Sequence, residues 1–168
     1  MKRIRDLAKN VRFIVFDFDG VLTDNRVFIN EQGEESVACN RSDGLGLGRL
    51  KQSGLELLIL SAEPNPVVAR RAEKLKIRCI YNCKDKLKAL LREVKRKGLS
   101  LKQVAYMGND INDAVCLQAV GLPVVVADAH KDVLRHALYK TRLKGGRGAV
   151  REFCDLILRA KTERKQYA

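Results

Sequence analysis

Phe13-Ile14-Val15-Phe16-Asp17-Phe18-Asp19-Gly20-Val21-Leu22-Thr23-Asp24 is the stretch whose reading decides the fold. Its first four residues are apolar, which predicts a strand buried on both faces, as in a parallel sheet. The strand runs straight into Asp17 and Asp19, and Gly20 then lets the backbone leave sharply. The carboxyl end of a parallel strand is where an α/β sheet keeps its chemistry. Two carboxylates there are costly to desolvate unless something positive neutralises them, and a divalent cation is the simplest candidate. The competing reading is a turn with two solvated aspartates, which the apolar run before them argues against.

Outward from that strand, apolar runs alternate with helix-period segments. Strands are expected at 55–60, 78–81, 104–107, 123–126 and, briefly, 138–141. Helices are expected at 2–10, at 44–52 with Ser42 or Asp43 as cap, and from Pro64 or Pro66 to Leu75. Further helices follow at 84–97, from the Asn109 region through Val120, near 131–136 and at 149–160, with 161–168 frayed. Residues 26–29 and 34–39, around a polar turn containing Gly33, read as a hairpin projecting from the chemical end of the sheet. The glycines at 44, 46 and 48 do not follow a buried strand and so fail the context of a dinucleotide-binding motif. The whole predicts an α/β doubly wound parallel sheet, Rossmann-like, with helices on both faces. At 168 residues one domain spanning 1–168 is expected, its core at about 11–158.

The charge is strongly basic, with 33 Lys and Arg against 20 Asp and Glu, a net +13 that favours anionic partners. The chain has no tryptophan, and its aromatic residues mostly sit inside apolar runs, so a stacking platform for nucleic acid is not expected. An anionic small molecule is the better partner. No apolar run approaches the ~20 residues of a membrane span, so no membrane association is expected. The five scattered cysteines fit reduced thiols in a cytoplasmic protein.

In a parallel sheet all carboxyl ends lie on one edge. Asp17 and Asp19, Ser61, Lys86, and then Asn109, Asp110 and Asp113 therefore converge although they span most of the chain. Acids, one hydroxyl and one lysine together describe a metal-assisted phosphoryl-transfer site. The acids suit Mg²⁺, a hard cation that takes oxygen ligands. Lys86 and the metal would neutralise phosphoryl oxygens, and Ser61 would donate a hydrogen bond to them. One acid could attack phosphorus while the other protonates the leaving oxygen. Asp113 could equally cap the following helix or serve the metal's outer sphere. Asp24 is read as a turn or hairpin-capping residue, and His130 and His136 as surface residues.

As a set, Phe16 to Asp24, Ile59-Leu60-Ser61, Lys86 and Gly108 to Asp113 resemble the four motifs of the haloacid dehalogenase superfamily. Arg41 to Leu47, Lys144 to Glu152 and the absence of a stretch long enough for a cap domain resemble its capless branch. That branch holds 3-deoxy-D-manno-octulosonate 8-phosphate phosphatases, nonulosonate 9-phosphate phosphatases and the C-terminal domain of some acylneuraminate cytidylyltransferases. The resemblance implies Asp17 as nucleophile and Asp19 as general acid and then base, with Ser61 and Lys86 holding the phosphoryl group. It implies Mg²⁺ bound by Asp17, the Asp19 carbonyl and the fourth motif, at Asn109 or Asp110. It also implies a homotetramer in which the hairpin of one subunit lids a neighbour's site, with Arg147 and Arg151 near such a site. The implied substrate is an anionic sugar phosphate.

Two positions depart from the pattern. Asn109 stands where most of these phosphatases have aspartate, which removes a negative charge from the metal site. Ser61-Ala62-Glu63 stands where octulosonate phosphatases usually show Ser-Gly-Arg, and Glu63 followed by Asn65-Pro66 looks more like the nonulosonate relatives. Glu63, with Lys74 further along what reads as the same helix, is therefore expected to bind the sugar. Asn109 keeps a competing function open, a catalytically weak oligomerisation module. A phosphorelay receiver fits less well, because receivers take their accepting aspartate from the third strand.

Overall fold

A computed structural model describes residues 2–165. Six strands form one parallel sheet, β1 (Phe13–Phe16), β4 (Glu56–Leu60), β5 (Arg78–Ile80), β6 (Val104–Gly108), β7 (Leu122–Val125) and β8 (Tyr139–Lys140). Their spatial order is β5-β4-β1-β6-β7-β8, with every neighbouring pair parallel. The chain builds outward from β1 on one side, then crosses over and builds outward on the other. The order therefore reverses beside β1, and an open α/β sheet leaves a crevice outside the strand ends at such a reversal.

Alternate residues of β1 feed two cores. Ile14 and Phe16 pack with Leu47 and Leu50 of α2 (Arg41–Gln52), Val68 and Ala72 of α3 (Val67–Leu75), and Val150 and Phe153 of α6 (Ala149–Lys165). Phe13 and Val15 pack on the opposite face, with Ala89, Leu90 and Val94 of α4 (Lys86–Arg96) and Cys116 and Leu117 of α5 (Ala114–Ala119). Burying one such Phe or Ile side chain is worth roughly 1.5–3 kcal/mol. Burial on both faces leaves the strand no freedom to slip in register, so Asp17 is held in one place.

The predicted sheet strands agree with the structure to within one residue; the helices differ more. α2 starts at Arg41 with Asn40 as its cap, whose Oδ1 accepts from the Ser42 N–H at 2.8 Å. Ser42 and Asp43 are thus inside the helix, and Asp43 is buried, accepting the Arg151 N–H at the start of α6 at 2.8 Å. Residues 131–136 wind as a 3₁₀ segment, not an α-helix. The expected frayed end is largely helical, since α6 continues to Lys165, and residues 166–168 lie outside the described residues. The Lys161 ammonium donates to the Lys9 carbonyl, tying this extension to the end of α1 (Lys2–Asn10). Packing reaches past 11–158, because Ala8 and Ala160 are both buried.

The hairpin is β2 (Thr23–Ile29) with β3 (Glu35–Cys39), a separate antiparallel pair. Val27, Phe28 and Ile29 are 50 %, 58 % and 65 % exposed. Among the described residues no helix is long and apolar enough to cross a membrane.

Candidate active site

Asp17 follows β1 directly, and its N–H donates to the Met107 carbonyl of β6, extending the pairing of the two strands by one residue. Gly20 leaves at φ +73°, and a Cβ there would run into the Asn109 side-chain amide. Only glycine lets the two loops close on each other. Thr23 fixes the turn by accepting from the N–H groups of Gly20 and Asn25. On the far side, the Gly146 N–H donates to the Val21 carbonyl, and a Cβ at Gly146, itself at φ +61°, would strike the Thr23–Asp24 backbone. Asp24 also accepts from Arg147 at 3.0 Å, so this residue fastens the hairpin base to the glycine-rich loop.

Ser61 follows β4 and is buried. Its N–H and carbonyl pair with Ile80 and Cys83, and its hydroxyl accepts from the Glu63 N–H at 3.1 Å. Lys86 opens α4, capped by Asp85, which accepts from the Lys88 N–H. The Lys86 ammonium is buried between two carboxylates, 2.8 Å from Asp17 Oδ1 and 2.8 Å from Asp113 Oδ1. Asp113 Oδ1 also accepts from the Tyr106 hydroxyl at 2.7 Å, and Oδ2 from the N–H groups of Asn109 and Asp110. Asp113 makes no side-chain cap to α5; its carboxylate closes the turn back onto the Asn109 and Asp110 N–H groups and anchors the lysine, a role the sequence reading does not include.

Asp17 and Ser61 open onto a cleft of about 370 Å³, lined also by Asp19, Glu63, Asn109 and Asp110, with Asn25, Val27, Glu35 and Val37 from the hairpin. Lys86 is buried outside that lining and reaches it through Asp17. Burial pushes the Asp17 carboxyl up to about 8, helped by the nearby Asp113 charge and only partly offset by Lys86. Burial, with Glu63 beside it, also raises Asp19. Burial acts to lower Lys86, but its two carboxylate partners outweigh that and raise it, so it stays charged. A cluster of acids held above their ordinary range is a hole that a cation would fill. Asn109 Oδ1 adds a specific sign of the same kind, being buried with no hydrogen-bond partner among the described residues. An acceptor without a donor, beside Asp17 and Asp19, fits a hard divalent cation. Asp110 is exposed and spends Oδ1 on the Ile111 N–H, which makes Asn109 the better placed of the two.

Three predicted site residues lie apart from this cleft. Glu63 sits in the loop before α3, so it shares no helical face with Lys74, which is exposed further along α3. Arg147 and Arg151 line a different groove, between α1, β8 and α6, and Arg151 bonds Asp155 at 3.0 Å. His130 sits nearer the site than its sequence position suggested, since its N–H donates to the Asn109 carbonyl, although its side chain is exposed. Sequence spacing alone does not bring Tyr106, Glu35 or Asn25 to the site. Tyr106 carried a usable signal, because a buried tyrosine in an apolar strand must place its hydroxyl on some partner.

A family model for haloacid dehalogenase-like hydrolases matches residues 80–152. The 3-deoxy-D-manno-octulosonate 8-phosphate phosphatase of Yersinia pestis is 42% identical over 154 residues, covering 91% of this chain and 82% of that protein. The chain belongs to the haloacid dehalogenase-like hydrolases. Among solved structures of this family, the Moraxella catarrhalis 3-deoxy-D-manno-octulosonate 8-phosphate phosphatase, in complex with a magnesium ion, a phosphate ion and KDO, superposes with a TM-score of 0.94. It is 36% identical and covers 99% of this chain and 97% of its own. The cobalt-bound Haemophilus influenzae phosphatase gives a TM-score of 0.88 at 32% identity, covering 93% and 92%.

Proposed function

We propose that this hydrolase removes phosphate from a 3-deoxy-ulosonate sugar phosphate, with Mg²⁺ as cofactor and an aspartyl-phosphate formed on Asp17. Phosphoric monoester hydrolysis follows from the family and the relatives named above. The observation that carries the residue roles is the ion-pair arrangement at the mouth of β1, with Lys86 bridging Asp17 and Asp113 beside Asp19. An Asp17 oxygen attacks phosphorus and the bond from phosphorus to the sugar oxygen breaks. Asp19, raised by burial and so able to carry a proton closer to neutral pH, gives that proton to the departing sugar oxygen. It then takes a proton from the water that attacks the phosphorylated Asp17, which frees inorganic phosphate and restores the carboxylate. Lys86 and the Ser61 hydroxyl hold the phosphoryl oxygens. Asp17, the Asp19 carbonyl and Asn109 would hold Mg²⁺, which supplies charge neutralisation at the phosphoryl group.

The relatives make octulosonate 8-phosphate the reference substrate; Glu63 favours a nonulosonate 9-phosphate. Its Oε1 accepts from the Asn65 N–H at 2.9 Å, while the Asn65 amide donates to Glu35 of the hairpin at 2.9 Å. A carboxylate tied into both walls of the cleft accepts from sugar hydroxyls, of which the longer nine-carbon chain presents a different set. The exposed apolar hairpin supports a homotetramer, checked by light scattering, in which it lids a neighbour's cleft and the Gly145–Arg151 region lies near such a site. The free cysteines support a cytoplasmic location, checked by cell fractionation.

The test is phosphate release from a panel of sugar phosphates with Mg²⁺, for the wild type and Glu63→Arg. The expected result is turnover of both ulosonate phosphates, with Glu63→Arg shifting the ratio toward the eight-carbon substrate. No release would favour the non-catalytic module, and an unchanged ratio would remove Glu63 from sugar recognition. Asn109→Asp returns the missing charge, so half-maximal activity should need several-fold to about tenfold less Mg²⁺. An unchanged magnesium titration would mean that Asn109 does not contact the metal.

A further inference from the structure

We infer that the Tyr106 hydroxyl is a positioning group for Lys86, acting through Asp113. This rests on the reading of Lys86 as the holder of the phosphoryl group. Tyr106 lies in β6, completely buried, on the same face of the sheet as Val104, and packs with α4 and α5. Its neighbours in that core are apolar, yet its hydroxyl is 2.7 Å from Asp113 Oδ1, the oxygen that also receives the Lys86 ammonium at 2.8 Å. The other carboxylate oxygen is held by the Asn109 and Asp110 N–H groups at 2.9 and 3.3 Å. Four donors thus fix one buried carboxylate, and each comes from a different residue.

Consider what each donor does. The two N–H groups belong to the loop that carries Asn109, so Asp113 is fixed relative to the fourth-motif side of the cleft. The ammonium belongs to α4 and has to serve Asp17 and a phosphoryl oxygen as well as Asp113. The tyrosine is the remaining donor, and it comes from the rigid centre of the sheet. Burial and the Asp113 charge push the Tyr106 phenol well above its ordinary range, so it donates at any working pH. By taking part of the Oδ1 charge, it keeps Asp113 from drawing Lys86 wholly to itself. Without the hydroxyl, a buried carboxylate oxygen keeps one partner, and the ammonium is pulled from Asp17 toward Asp113.

The experiment is Tyr106→Phe, measured by competitive inhibition with inorganic phosphate and by kcat/KM, with Asp113→Asn and the double variant completing the cycle. A hydrogen bond to a charged buried group predicts roughly tenfold weaker phosphate inhibition and a similar fall in kcat/KM. A general loss of packing would lower the active fraction and kcat but leave the phosphate inhibition constant in place. Acting through Asp113 also predicts that the double variant is no worse than Asp113→Asn alone. Fluorotyrosine at position 106 keeps the ring and strengthens the donor. It should tighten phosphate inhibition, and no shift there overturns the assignment even if the phenylalanine variant does not fold. A Tyr106→Phe enzyme within twofold of an active wild type on both measures overturns the inference alone, as do independent, multiplying losses in the cycle. A wild type that neither binds phosphate nor releases it overturns the functional reading together with the inference.

Discussion

Asp17→Asn should abolish turnover, by at least ~10⁴-fold, because the amide oxygen cannot form and then release the acyl phosphate. The same substitution should make the metal-free protein more stable. The sign follows from the direction of the shift. Asp17 is raised from 3.8 to about 8 by burial and by Asp113, so across that window the folded state binds a proton that the unfolded state does not. Stability then falls as pH rises from about 4 to about 8, and asparagine removes that loss while leaving Lys86 paired with Asp113. In chelator-treated protein the variant should exceed the wild type by roughly 4 kcal/mol near neutral pH, with the gap closing toward pH 4. Thermal melts across pH check the stability and phosphate release checks the turnover. Full activity would remove Asp17 as nucleophile, and a pH-independent gap would remove the buried charge as the cause.

That opposition of stability and chemistry was half visible in the sequence. Four apolar residues running into Asp17 and Asp19 are enough to place two acids at the end of a buried strand, because hydrophobic pattern and strand period act locally. Ser61, Lys86 and Asn109 were also legible, since a parallel sheet puts its carboxyl ends on one edge whatever the lengths of chain between them. The pairing of Lys86 with Asp113 was not, because it depends on how α4 lies against β6, and no local pattern carries that. Tyr106 was hidden for the same reason. The structure departs from the expected cap of α2 because Asn40, Ser42 and Asp43 are all good caps, and Asp43 is engaged instead at the start of α6. The sequence spacing places Lys74 on one helix with Glu63, whereas Pro64 and Pro66 keep the chain out of helix until Val67.

Lys86→Met should be the most damaging change to the fold of the site, and it separates structural from chemical roles in the opposite sense to Asp17→Asn. The methionine keeps most of the side-chain length but withdraws the ammonium from between Asp17 and Asp113, each at 2.8 Å. Above about pH 8, where Asp17 has given up its proton, two buried carboxylates then face each other without a counter-charge, and breaking a buried pair by deleting one partner costs about 3–5 kcal/mol. Phosphate release should fall by about 10³-fold in the same variant, since the phosphoryl oxygens lose their fixed cation. The two losses have different remedies. Adding Asp17→Asn to Lys86→Met removes one of the stranded charges, so the double variant should recover a large part of the stability and none of the activity. Millimolar Mg²⁺ should also raise the melting temperature of Lys86→Met more than that of the wild type, because the cation then becomes the nearest positive charge available to Asp17. A Lys86→Met protein as stable as the wild type above about pH 8 would mean that the two acids stay neutral in the fold even there, and the ion-pair account of the site would fall.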